Sequence, residues 1–239
     1  MIKSLVASAL FAGFAAGLFS AALQFVFVET TLLEAEQYES GAKVHFAAPP
    51  EAGHDHDSPA PAETAASADA VAEPFDLRRH ALTVLSMVLR DVGYAMILLA
   101  GFALAEMQGV RVSARAGMIW GLAGFIAIQF APAFGLAPEL PGMAAADLAG
   151  RQFWWAGTAV CTAGALWMIA FGKTWVPWAT AVALLFLPHL IGAPQVVEMN
   201  GAVPPELAAE FVGRVLGVGL AGWVLLGTVG AAIWDRSRA

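Results

Sequence analysis

The residues best suited to chemistry lie in a polar segment of the chain. Two imidazoles and two carboxylates alternate there, in His54, Asp55, His56 and Asp57. Imidazole suits cobalt, nickel, zinc and copper, and carboxylates add negative charge without excluding harder ions. This pattern predicts a divalent-metal site, and a solvated run of charges is the alternative interpretation.

These four residues belong to a long stretch, 40–76, whose middle is rich in Ala, Pro, Glu, Asp and Ser. Such a composition cannot bury enough apolar surface to order itself, so we predict a disordered loop. A flexible set of ligands binds metal weakly and selects poorly, because nothing fixes its geometry. We therefore expect the loop to gather metal ions rather than to hold one tightly.

Three further candidate ligands are suggested by their surroundings. Glu36 lies in a polar stretch that follows the first apolar run and would extend its helix, and Glu139 lies in a proline-rich segment. His189 stands between Pro188 and Pro194, which predicts irregular backbone. At membrane depth, irregular backbone is tolerated only where it is buried in protein or lines a cavity. A lone His is more often a satisfied core residue, but we predict that His189 joins Glu36 and Glu139 in passing metal inward.

Arg90 and Asp91 are charged residues inside an apolar run. A charge at that depth costs about 2.5–3.5 kcal/mol on insertion scales. Adjacent helical residues point about 100° apart, so we expect the two side chains to contact different helices rather than each other. Part of an ion path and a structural contact between helices both remain open as interpretations.

The elements that must position these residues follow from composition. Apolar residues make up 59% of the 239 residues and charged residues 13%, whereas soluble domains carry about 25% charged residues. A helix needs roughly 20 apolar residues to cross a bilayer, and lipid leaves only helices to satisfy the backbone of such runs. We predict an all-α polytopic membrane bundle, a single membrane domain over 1–239, with helices at about 5–28, 82–105, 116–134, 153–171, 175–191 and 211–234.

The orientation follows from the basic residues at the ends of the runs. Six of them share one side, which the positive-inside rule makes cytoplasmic: Lys3, Arg111, Arg115, Lys173, Arg236 and Arg238. All acidic residues except Asp91, Glu106 and Asp235 fall on the opposite side. Two interpretations are open. This surface is acidic either because the positive-inside rule does not constrain it, or because negative charge concentrates cations at the mouth of a pathway.

Several functional classes find no support in the sequence. It contains no Gly-rich phosphate loop, no triad spacing and no His-Glu-x-x-His, and nothing basic is arranged for nucleic acid. We therefore expect neither an enzyme nor a nucleic-acid partner. Gly-x-x-x-Gly recurs at 13–17, 117–121 and 213–217 and lets helices pack closely, although it is common by chance in such sequences.

Together these residues resemble the CbtA-type family of probable cobalt transporter subunits, over nearly the whole chain. The resemblance lies in the polar stretch 33–39, the His-Asp loop, and four further segments: 131–147 with its Pro-Glu-Leu-Pro-Gly-Met centre, 151–155, 187–194 and 203–207.

The resemblance implies a multi-pass protein of the bacterial inner membrane that takes up cobalt for cobalamin synthesis. It also implies a small, single-helix, histidine-bearing partner of the CbtB type. Cobalt would be the transported ion and no cofactor is expected. Two alternatives stay open: a scaffold or assembly subunit that never touches the ion, and a nickel rather than a cobalt permease.

Overall fold

A computed structural model describes residues 2–44, 76–196 and 201–237. The apolar runs of these residues fold into six continuous helices, and no strand occurs among them. The prediction of an all-α polytopic bundle is therefore confirmed. Five of the helices are long and apolar enough to cross a membrane, and the sixth, Trp175–Ile191, is apolar but shorter.

We number the helices α1 to α6 in chain order. α1 consists of Ile2–Leu23, a π-helical turn Gln24–Val28 and Glu29–Glu39, and α2 is Leu77–Met107. α3 consists of a 3₁₀ turn Ala114–Ala116, Gly117–Phe125, a π-helical turn Ile126–Phe130 and Ala131–Ala133. α4, α5 and α6 are Leu148–Phe171, Trp175–Ile191 and Pro205–Arg236.

Several helices extend past their apolar runs because polar residues cap or continue them. The Asp76 carboxylate accepts the backbone N–H groups of Arg78 and Arg79 at 2.9 and 3.2 Å, so α2 begins five residues before its apolar run. The Asp147 carboxylate caps α4 in the same way, accepting the N–H of Gly150 at 2.8 Å. Caps of this kind satisfy backbone donors that the first turn leaves unpaired.

Polar contacts define the two ends of the bundle. At one, the termini end, Ser4 Oγ donates to Ser237 Oγ at 2.8 Å and Arg111 pairs with Asp235 at 3.0 Å. The other, the loop end, carries residues 29–44, 76–86, 134–148, 192–196 and 201–210. Both described chain ends therefore meet at the same end, as an even number of crossings requires. Which side of the membrane this end faces stays a prediction.

Four helices, α1, α2, α3 and α6, pack around a shared apolar interior that we call the four-helix core. Small residues let their backbones touch. A Cβ on Gly17 would lie 2.5 Å from Val88 Cα, and one on Gly227 would lie 2.6 Å from the Gly121 N atom. These positions tolerate only glycine, so the first two Gly-x-x-x-Gly motifs are helix contacts, whereas Gly213 and Gly217 of the third face open space.

The other two helices, α4 and α5, pack chiefly on each other and form a peripheral hairpin. They carry many exposed large apolar side chains, including Phe153, Val160, Trp175 and Leu190. In a membrane protein such side chains face lipid. The hairpin thus meets the four-helix core along one side, mainly where α4 reaches the end of α3.

Candidate functional site

A cavity of about 410 Å³ lies between the four-helix core and α4. It runs from the loop end toward the middle of the bundle, and α2, α3, α4, α6 and the segment after α3 all contribute to it. Its lining residues are Tyr94, Ile128, Gln129, Pro132, Ala133, Leu136, Ala137, Pro138, Glu139, Leu148, Arg151, Gln152, Trp155, Val215 and Leu216. The cavity is therefore mixed in character, with polar groups at both of its ends and apolar walls between them.

An ion pair marks the loop end of the cavity. Arg151 Nη2 lies 2.7 Å from Glu139 Oε2, and both side chains are about one-quarter exposed. The cap at Asp147 starts α4 early enough to place Arg151 in its first turn, facing the segment that carries Glu139. Glu139 thus lines a cavity, as its predicted role requires, but its charge is balanced by an arginine that sequence reasoning did not assign to it.

Tyr94 and Gln129 line the inner end of the cavity and also line a recess of about 10 Å³ beyond it. Gln129 lies within the π-helical turn of α3. π-helical turns inside α-helices occur frequently at functional sites. The remaining residues of the recess come from α1, α2 and α6: Ser20, Arg90, Asp91, Gly219, Gly222, Trp223 and Leu226.

The expectation that Arg90 and Asp91 contact different helices rather than each other is wrong. Arg90 Nε donates to Asp91 Oδ1 at 2.8 Å, and Ser20 Oγ of α1 donates to Asp91 Oδ2 at 2.8 Å. The arginine side chain is long enough to curl back over the angle between adjacent positions, and burial of Asp91 favours the nearest cation. The carboxylate still links two helices, but through Ser20.

Comparison with known protein families decides the family of this chain. The model of the family described as CbtA, probable cobalt transporter subunit, matches residues 2–235. The chain belongs to the CbtA family. It is accordingly a multi-pass membrane subunit of a cobalt transporter. Comparisons with curated proteins and with solved structures gave no match.

In this CbtA-family chain, Glu36 lies on the extension of α1 past its apolar run, at the loop end. It makes a two-point ion pair with Arg79 of α2, with N–O distances of 3.0 and 2.6 Å. Two parallel bonds fix the carboxylate in orientation as well as in place. Glu36 therefore ties α1 to α2 and lies apart from the cavity lining.

His189 lies near the loop end of α5, where the predicted irregular backbone is not found. The helix continues through Pro188 to Ile191 and ends at Gly192, whose φ of +85° favours glycine. Pro188 costs the helix the one bond that its missing N–H would make. The Pro188 carbonyl itself accepts both the Gly192 backbone N–H and the Trp154 indole N–H, each at 3.0 Å. The exposed His189 ring packs edge-on against Phe134 and Trp154, at centroid distances of 6.2 and 5.8 Å.

The loop residues His54, Asp55, His56 and Asp57 lie outside the described residues. Within the described part of the chain, no three His, Cys, Asp or Glu side chains come close enough to hold a metal ion together. Several described carboxylates at the loop end are instead engaged with cations. Besides the two pairs already given, Lys43 pairs with Glu34 at 3.2 Å, and Arg214 pairs with Glu210.

Sequence reasoning also missed a further polar contact between α1 and α2. His80 Nε2 lies 3.2 Å from Glu29 Oε1, and the His80 ring lies 5.1 Å from that of Phe25. The available signal was positional, because Glu29 directly follows the first apolar run and His80 lies two residues before the start of the second. Antiparallel neighbours bring two such boundary positions to the same depth.

Proposed function

We propose that this chain forms the membrane route for cobalt in an uptake system of the bacterial inner membrane that supplies cobalamin synthesis. A small single-helix subunit of the CbtB type, bearing histidine, is the proposed partner. The cavity between the four-helix core and α4 carries this proposal. A half-buried ion pair lines it at the loop end, and at its inner end it shares Tyr94 and Gln129 with the recess that holds the buried Asp91 carboxylate.

The polar ends of the cavity support an ion path rather than a lipid or drug site. A divalent ion needs oxygen or nitrogen ligands wherever water is removed from it. Glu139 offers a carboxylate at the loop end, and Gln129 offers an amide at the inner end. An intramembrane ionisable residue such as Asp91 is by default a functional candidate.

The other candidate ligands fit earlier steps of the proposed route. His54, Asp55, His56 and Asp57 gather cobalt at the membrane surface, and His189 receives it at the exposed end of α5. Glu36 contributes to capture only when Arg79 releases it, because its carboxylate is engaged at two points. In the same manner, Glu139 binds the ion only when Arg151 releases its carboxylate.

Uptake of radioactive cobalt at limiting concentration tests the proposal. Cells lacking this chain should take up little cobalt, and expression of the chain with its partner should restore uptake. Unlabelled nickel at the same concentration as cobalt separates the two metals, since a nickel permease would lose most of its cobalt signal and a cobalt permease would keep most of it. Unchanged uptake in cells that lack the chain would refute the proposed function.

A scaffold that never touches the ion is the second candidate. It is favoured by the ion pairs that already engage Glu36 and Glu139, and by the lack of a three-ligand cluster among the described residues. Equilibrium dialysis of the purified chain against cobalt distinguishes the two. A scaffold retains no cobalt without its partner, whereas a route retains at least one ion per chain.

A further inference from the structure

Asp91 occupies the most protected position of any described acidic residue of this chain. It lies midway along the 31-residue α2, and only 4% of its surface is exposed. Both of its oxygens are engaged, one by Ser20 and one by Arg90. The result is an ion pair inside the four-helix core, with a desolvation cost that its hydrogen bonds must offset.

Two buried polar atoms around Asp91 have no hydrogen-bond partner among the described residues. They are Gln129 Oε1, an acceptor, and Trp223 Nε1, a donor. Both residues line the recess. A buried unsatisfied polar atom costs about 1–3 kcal/mol and calls for an explanation. A cation or a water can satisfy the Gln129 oxygen, whereas the Trp223 N–H needs an acceptor such as a water.

The opposite wall of the recess consists of glycines from α6. A Cβ on Gly222 would lie 2.5 Å from Ser20 Oγ, and a Cβ on Gly219 would collide with Gln129 Oε1. Any side chain at these positions would fill the recess. The space of about 10 Å³ suits one water-sized particle.

Arg90 lines the recess but not the cavity. Its side chain is about one-third exposed, in contrast to that of Asp91, and its guanidinium lies 6.0 Å from the centre of the Tyr94 ring. Tyr94 lines both spaces. Arg90 therefore has an aromatic surface beside it onto which it can move without leaving the protein.

We infer that the recess is an intramembrane binding site for the transported divalent cation, in which Arg90 serves as the counter-ion of Asp91 until the ion displaces it. This inference rests on the proposed function. Asp91 supplies the charge, and Ser20 Oγ and the orphaned Gln129 Oε1 supply neutral oxygens. The Arg90 guanidinium keeps Asp91 balanced between ions, so the core never holds an unpaired carboxylate.

The chemistry of the donors selects the class of ligand. All three are oxygens, hard donors that accept divalent ions in general and give no advantage to soft monovalent copper. The size of the recess excludes a hydrated ion or an organic cation. The ion would enter without its full hydration shell, and the space vacated by the displaced Arg90 guanidinium would admit the waters that complete its coordination.

Equilibrium dialysis of radioactive cobalt against the purified full chain tests the inference. All variants carry His54→Ala and His56→Ala, which remove the loop background. Asp91→Asn should weaken the tightest site by at least about tenfold, as loss of a charged ligand does. Arg90→Gln should tighten it by about tenfold, because the competing cation is gone. The matched controls Asp235→Asn and Arg111→Gln alter an ion pair at the termini end and should change neither value.

The opposite response of the two recess variants separates a binding site from a structural contact. If Asp91→Asn does not yield folded protein, Arg90→Gln combined with Asp91→Asn removes both charges and should show the same loss of binding. Unchanged affinity in the Asp91 variant, or weaker binding in Arg90→Gln, would overturn the inference. Normal cobalt uptake by cells carrying Asp91→Asn would also overturn it while leaving the proposed function intact, because that function is tested by deleting the whole chain.

Discussion

The four-helix core and the peripheral hairpin bury different kinds of surface. In the core, glycines such as Gly121 and Gly227 bring backbones into contact, and large side chains such as Phe102 and Trp234 fill the interior. The hairpin buries small residues between its two helices and exposes its large ones. The core therefore fixes geometry, whereas the hairpin closes one side of the cavity and, if it moved, would change the cavity's width.

The ion pairs of these two regions differ in how far they are buried. Asp91 in the core is 6% exposed at its side chain, whereas Glu139, beside the hairpin, is 26% exposed. Removing one partner from a buried pair leaves an uncompensated charge, while water screens a pair that is about one-quarter exposed. The Glu139–Arg151 pair can thus exchange partners at little cost in free energy. The Asp91–Arg90 pair needs a replacement cation at the moment it opens.

Breaking the core pair should have the largest effect on stability. Asp91→Ala leaves Arg90 unpaired in the membrane interior and should destabilise the purified chain by about 3–5 kcal/mol. Thermal unfolding in detergent measures the loss. Asp235→Ala at the termini end removes an acid from a pair whose Arg111 is largely exposed, and should cost less than about 1 kcal/mol. Equal losses would mean that the core does not differ from the surface.

Glycine contacts in the core sharpen the same comparison. A methyl group on Gly227 would lie 2.6 Å from Gly121 N and 2.7 Å from its Cα, so Gly227→Ala should force α3 and α6 apart at about 1–3 kcal/mol. Gly213→Ala adds a methyl group where no atom lies within 4 Å and should be neutral or slightly stabilising. The unfolding midpoints of the two variants provide the comparison. A larger loss for Gly213→Ala would contradict the assigned packing.

Changes to the Glu139–Arg151 pair beside the hairpin should affect cobalt uptake through charge rather than affect the stability of the fold. Glu139→Gln leaves Arg151 unbalanced at the cavity mouth and should lower cobalt uptake at limiting metal. Arg151→Gln leaves Glu139 unbalanced and should raise cobalt uptake. Each change in uptake should be roughly twofold to fivefold, the size expected for one partly exposed charge. Uptake assays at low and high salt check the cause, since screening should shrink both effects. Changes in the same direction would show that the pair acts through structure alone.

The smallest effects should come from the capture residues. His189→Gln should reduce uptake at limiting cobalt more than His54→Ala and His56→Ala together, because packing against Phe134 and Trp154 restricts the His189 ring before an ion arrives. Uptake at saturating cobalt should be normal in both. A stronger defect in the double loop variant would place metal selection in the loop.

The sequence predicted the helices well because lipid leaves few alternatives to them. Their ends were harder, since α2 and α6 begin among polar residues that carry no apolar signal, at Leu77 and Pro205. The shape of the cavity could not be foreseen, because it depends on which helices become neighbours. The pairing of Glu36 with Arg79 spans 43 positions, and nothing local in either segment indicates it.

The recess shows the same limit more sharply. The sequence marked Arg90 and Asp91 as costly and left their role open. Ser20, Gln129 and Gly222 come from three other helices and look like ordinary membrane residues in isolation. Only the arrangement of α1, α2, α3 and α6 brings them together around one carboxylate.

Site-directed labelling of the cavity tests most directly whether cobalt passes through it. Cys161 is the only cysteine, so Cys161→Ser gives a thiol-free parent, whose cobalt uptake is measured first. Ala133→Cys then places a thiol in the cavity, and Ser40→Cys places one at the exposed end of α1. A charged methanethiosulfonate reagent should abolish uptake in the Ala133 variant and spare it in the Ser40 variant, and cobalt should slow labelling at the former alone. Normal uptake in an Ala133 variant that mass spectrometry shows to be fully modified would contradict the cavity as the route.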